Sequence, residues 1–121
     1  MKPHILYVDD ESIALELIAR ILSDHGYVLS TFECPAQALD WAQTQSPSLD
    51  LLITDQSMPA FSGSELALRL RQLYPDLPTI VVTGFGLEEY VEIPAPVYYL
   101  EKPYKKQDLI EVIETLMRGE T

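Results

Sequence analysis

Five short segments hold the residues that could do chemistry together: Tyr7-Val8-Asp9-Asp10-Glu11, Leu51-Leu52-Ile53-Thr54-Asp55, Met58-Pro59, Val81-Val82-Thr83-Gly84 and Leu100-Glu101-Lys102-Pro103. Four of them place a carboxylate, hydroxyl or amine where an apolar, β-rich run gives out, which is where parallel α/β sheets gather their chemistry. Asp9 and Asp10 at the end of one strand and Asp55 at the end of another offer hard oxygen ligands to a divalent cation. Lys102 and Thr83 supply an ammonium and a hydroxyl for the oxygens of a phosphoryl group. The inventory fits a magnesium-dependent phosphoaspartate site.

The elements that must position these residues follow from the apolar pattern. Short β-branched runs alternate with stretches of helical period, which predicts βαβ units and a parallel sheet. Strands are expected at Ile5 to Val8, Tyr27 to Phe32, Leu49 to Thr54, Thr79 to Val82 and Val97 to Leu100. The third has no polar alternation, so it belongs at the centre, buried on both faces. Between strands one and two, Ile13, Leu17, Ile18, Ile21 and Leu22 recur at helical spacing and should pack on the sheet, up to a stop at Gly26. Pro35 opens a helix from Ala36 to Gln45 that turns Ala38, Leu39 and Trp41 or Ala42 inward. Leu66, Leu70 and Leu73 mark another from Glu65 to Tyr74, and Leu109, Val112, Ile113 and Leu116 a last one from about Lys105 to Met117. Right-handed crossovers then give a doubly wound five-stranded sheet of order 2-1-3-4-5, whose switch point between strands one and three brings Asp9, Asp10 and Asp55 together.

Composition limits the alternatives. At 121 residues, 47% hydrophobic and 22% charged, the chain suits one globular domain, residues 1–121. A formal net charge of −11 opposes the phosphate backbone, so direct nucleic-acid binding is not expected. No run approaches the roughly 20 apolar residues of a membrane span, and no apolar leader follows Met1. Cys34 is the lone cysteine and reads as apolar filler. Together these point to a cytoplasmic, reducing setting.

In order and context, Asp9-Asp10, Asp55 with Met58-Pro59 and Gly63, Thr83 and Lys102-Pro103 resemble the receiver domain of two-component response regulators, over Ile5 to Met117. The resemblance implies the flavodoxin-like, CheY-like form of the doubly wound fold. It implies that Asp55 accepts a phosphoryl group from a sensor histidine kinase or phosphotransfer protein, and that Mg²⁺ is held by Asp9, Asp10, Asp55 and the backbone carbonyl of Ser57. Lys102 would pair with Asp55 and then with the phosphoryl group, and Thr83 would donate to another phosphoryl oxygen. Tyr99 would turn into the space that Thr83 vacates and signal to a downstream protein, while Tyr98 faces the other way. Lys102–Pro103 would be a cis peptide. Glu11 reads as an exposed acid at a helix N-terminus, with contact to the metal through water as the alternative.

The stretch from Gly84 to Val97 departs from the family pattern. Pro94 and Pro96 shorten the fourth helix, leaving a turn or two around Glu88 to Val91, so a rebuilt or partner-specific output face is expected here. A magnesium-dependent hydrolase with an aspartyl nucleophile would need a second acid two residues after Asp55, where Ser57 stands. A receiver-like scaffold that works without phosphorylation would be expected to lack the acidic pair, Asp55 or Lys102. The resemblance implies a signalling domain rather than an enzyme.

Overall fold

The computed structural model describes residues 2–84 and 92–118. Five parallel strands, β1 (His4–Val8), β2 (Val28–Phe32), β3 (Leu51–Asp55), β4 (Thr79–Thr83) and β5 (Val97–Glu101), pair in the order β2-β1-β3-β4-β5. The helices are α1 (Ser12–Asp24), α2 (Pro35–Gln45), α3 (Gly63–Leu70) and α4 (Lys106–Met117). The short helix expected around Glu88 to Val91 lies outside the described residues.

Alternation along each strand feeds two apolar layers. Ile5, Tyr7, Ile53, Ile80, Val82 and Leu100 face Leu15 and Leu22 of α1 and Leu109, Ile113 and Leu116 of α4. Leu6, Val8, Leu52 and Val81 face Ala38 and Ala42 of α2 and Leu66, Ala67 and Leu70 of α3. All five residues of β3 are buried, as its unbroken apolar run requires of a central strand.

Two helical stripes differ from the sequence pattern. Of the five apolar α1 residues expected on the sheet, Ile13 and Leu17 are 82% and 57% exposed, and the inward contact is made by Leu15 and Leu22 with Ile18. The apolar arc of α1 is wider than the strip that a sheet can cover. In α3 the regular helix ends at Leu70, and Leu73 is exposed. Past Leu70 the backbone tightens to i−3 bonds, Gln72 N–H to Arg69 O (3.2 Å) and Leu73 N–H to Leu70 O (2.9 Å), ahead of Pro75. The Arg71 guanidinium donates to the carbonyls of Leu77 (2.9 Å), Pro94 (2.8 Å) and Pro96 (2.8 Å), tying this turn to the segment that leads into β5. Trp41 is half-buried, packing on Phe32 at 5.2 Å and edge-on to His4 at 6.2 Å. The Ala95–Pro96 peptide is cis.

Candidate functional site

The carboxyl ends of four strands meet at one pocket, because backbone ladders continue one residue past the strands. Asp9 N–H donates to Phe32 O (3.1 Å), Gln56 N–H to Val82 O (2.9 Å) and Lys102 N–H to Thr83 O (2.7 Å). Each functional residue therefore sits on backbone fixed by its neighbour strand. Asp9 and Asp55 are buried, with 4% and 6% exposure, whereas Asp10 and Ser57 are exposed. The Lys102 ammonium reaches both oxygens of Asp55, Oδ1 at 3.3 Å and Oδ2 at 3.4 Å, and lies 3.9 Å from Glu11. Lys102–Pro103 is cis.

Three carboxylates, Asp9, Glu11 and Asp55, bring one oxygen each within 4.8 Å of one another. This is a hard-oxygen donor set that fits a divalent cation. Glu11 is exposed, as its place at the start of α1 suggested, yet it leans back into this group. Sequence spacing carries no sign of that lean. Asp10 stands outside the tight trio but close enough to act on Asp55 electrostatically.

Charge crowding sets the titration. Burial raises the Asp55 carboxyl, Lys102 pulls it down, and Asp9 and Asp10 push it up, which together leave it at about 6. Partial burial lowers the Lys102 ammonium, but the carboxylates of Asp55, Asp9 and Glu11 outweigh it and hold the group above the ordinary lysine value. Burial, with Asp9 and Asp55 nearby, pushes the Tyr104 phenol up to about 12. A cation in the pocket would relieve the like charges that make Asp55 costly to ionise.

The loop from Gln56 to Ser62 is anchored to α3. The buried Gln56 side chain accepts from Ser64 N–H at 2.9 Å and donates to Ser64 Oγ at 3.1 Å. Ser62 caps the helix by accepting from Glu65 N–H at 3.2 Å. Within the loop, Ala60 has φ 76°, left-handed backbone that costs an L-residue about 1–2 kcal/mol. Ala60→Gly is expected to stabilise the fold by roughly 0.5–1 kcal/mol, after part of the relief is offset by a freer unfolded chain. Urea unfolding checks this, and an unchanged or lowered midpoint would contradict it.

Thr83 ends β4, and Tyr99 pairs with Val81 one step inside on β5. Thr83 and Val81 share a face by strand alternation, so Thr83 and Tyr99 lie on the same side of the sheet. Tyr99 packs with the layer over α2 and α3, while Tyr98 is exposed on the opposite face.

The response regulator receiver domain family model matches residues 5–114. The chain is a response regulator receiver domain. The receiver protein CpdR of Brucella abortus is 31% identical over 93% of this chain and 95% of its own length. Response regulator MprA of Mycobacterium tuberculosis is 32% identical over 98% of this chain, but this receiver domain spans only 52% of it, and 19% of a longer plant relative. A crystal structure of a response regulator receiver protein from Sinorhizobium medicae superposes with a TM-score of 0.86 at 25% identity, covering 97% of this chain and 95% of that one. As a receiver domain, the chain is a signalling domain of the class that interacts with histidine kinases or phosphotransfer proteins. No described helix is long and apolar enough to cross a membrane.

Proposed function

We propose that this receiver domain takes a phosphoryl group on Asp55 from the phosphohistidine of a sensor histidine kinase or phosphotransfer protein, with Mg²⁺ as cofactor. The observation that carries the reading is the buried Asp55 carboxylate at the end of β3, paired with Lys102 and crowded by Asp9 and Glu11. Asp9, Asp10, Asp55 and the Ser57 carbonyl would hold the cation, with Glu11 at its margin. When bound, Mg²⁺ offsets the crowded carboxylates and neutralises charge on phosphoryl oxygens. An Asp55 oxygen attacks phosphorus in line; the new O–P bond forms as the P–N bond to the imidazole breaks, and its electron pair returns to that nitrogen. Gln56 N–H, 3.1 Å from Asp55 Oδ1, holds the carboxylate plane during approach. Lys102 exchanges its carboxylate partner for a phosphoryl oxygen, and Thr83 donates its hydroxyl to another.

The same-face placement of Thr83 and Tyr99 supports a switch in which Tyr99 follows Thr83 inward and alters the β5 surface met by a downstream protein. Residues 1–121 act as one receiver domain in this reading. Its strong negative charge argues against direct nucleic-acid binding, and we place it in the cytoplasm without a membrane role. Incubation with acetyl phosphate and Mg²⁺ should add one phosphoryl group by intact mass, and chelation should abolish uptake. Mg²⁺ should also raise the melting temperature with concentration. Equal uptake in excess chelator would overturn the metal assignment.

A further inference from the structure

From sequence, Tyr7 is one more apolar residue of β1. In the fold its ring is buried with Ile5, Leu15 and Ile53 beneath α1 and α4. Tyr7 and Asp9 lie two residues apart, so their side chains leave the chain on the same side. The Tyr7 hydroxyl donates to Asp9 Oδ2 at 3.1 Å, and Glu11 N–H donates to Asp9 Oδ1 at 3.0 Å. One donor on each oxygen stops the carboxylate from turning about its Cβ–Cγ bond. An ionised carboxylate has about four lone-pair sites, so each oxygen keeps one for another partner.

The phenol differs from the charged donor in the pocket. Lys102 brings a positive charge to Asp55, which competes with any cation for the same oxygens. Tyr7 is neutral and holds Asp9 without reducing its charge. A phenol keeps its proton throughout the neutral range, so the hydroxyl stays a donor to Asp9 Oδ2. A buried donor that orients a ligand without neutralising it does for a carboxylate what outer partners do for metal-bound side chains.

We propose that Tyr7 is a positioning residue for cation binding, its hydroxyl setting the Asp9 carboxylate so that Asp9 and Asp55 present oxygens to one divalent cation. This rests on the reading of the pocket as a magnesium site. Tyr7→Phe removes one oxygen atom and keeps the ring in the core, so the fold should survive.

Calorimetric titration of Mg²⁺ into metal-free wild type, Tyr7→Phe, Asp9→Asn and the double variant tests it. Tyr7→Phe should weaken Mg²⁺ binding about tenfold. The double variant should bind no more weakly than Asp9→Asn alone, because the hydroxyl acts through that carboxylate. Tyr104→Phe, which removes a hydroxyl that makes no hydrogen bond to Asp9, should stay within about twofold of wild type. A role confined to stability would lower the melting temperature of Tyr7→Phe and leave its Mg²⁺ affinity unchanged; that result, or a loss fully additive with Asp9→Asn, overturns the proposal. If Tyr7→Phe does not fold, the wild-type Tyr7 Cζ resonance decides. It should shift on Mg²⁺ addition while that of Tyr74 stays, and a stationary Tyr7 signal overturns the proposal. Failure of wild type itself to bind Mg²⁺ would instead overturn the magnesium reading, and this inference with it.

Discussion

Replacing Asp55 by Asn is expected to abolish phosphoryl uptake and, in the metal-free protein, to raise stability near neutral pH. The first effect follows because the amide has no nucleophilic carboxylate oxygen. The second follows from the environment of Asp55. Burial, together with Asp9 and Asp10, penalises the charged form more than Lys102 rewards it, leaving the carboxyl at about 6 in the fold against an ordinary 3.8. A group with a raised folded value binds its proton more tightly in the native state, so its contribution is most favourable below about pH 4 and is lost as pH climbs to about 6. Two units correspond to roughly 3 kcal/mol at most. Asn cannot ionise and escapes that loss, while the partly exposed Lys102 recovers water in place of its partner. In chelator, the melting temperature of the Asn variant should therefore pull ahead of wild type as pH rises from 4 to 7, and added Mg²⁺ should narrow the gap. A gap independent of pH would contradict the burial-driven shift.

Gly63→Ala is expected to be the most damaging small substitution outside the apolar core. A Cβ at this position would be driven into the carbonyl oxygen of Asp55 and would stand 3.0 Å from both the Asp55 carbonyl carbon and Thr54 Cγ2. Neither side can retreat easily. Asp55 is locked into β3 by its pairing with β4, and Gly63 N–H is tied to Gln56 O at 3.0 Å. The conflict is one of space, since Gly63 is not among the residues of positive φ. A loss of about 3 kcal/mol or more is expected, at the upper end for overpacking. The same shift displaces the backbone of Asp55, so phosphoryl uptake should fall even under conditions where the variant is folded. Gly26→Ala makes the control: its φ of +94° strains an L-residue, but nothing lies within 4 Å, so only about 1–2 kcal/mol should be lost. Urea unfolding compares the three chains, and wild-type stability in Gly63→Ala would contradict the packing described.

Much of the arrangement is legible in the sequence because backbone order and strand ends determine it. The apolar runs of β1, β3 and β4 announce the strands, and their order places Asp9, Asp10 and Asp55 at one switch point. What stays hidden depends on side chains reaching across the fold. Glu11 joins Asp9 and Asp55 by leaning back from the start of α1, a rotamer choice that spacing does not encode. Tyr7 is indistinguishable in pattern from Val or Ile at a buried strand position; only the place of its hydroxyl reveals the bond to Asp9. The periodicity of Leu66, Leu70 and Leu73 extends α3 too far, because the backbone tightens to i−3 bonds at Gln72 and Leu73 in a turn that the Arg71 guanidinium ties to the carbonyls of Leu77, Pro94 and Pro96. Ile13 and Leu17 carry a helical apolar period without a surface to meet.

The most direct test of the central claim is to find which side chain carries the phosphoryl group. Wild-type protein treated with acetyl phosphate and Mg²⁺, then reduced with borohydride and digested, converts an aspartyl phosphate to homoserine at its own position. The account predicts homoserine at residue 55 alone, and none when Mg²⁺ is withheld. Homoserine at residue 9 or 10, or phosphoryl uptake with residue 55 still aspartate, would contradict it.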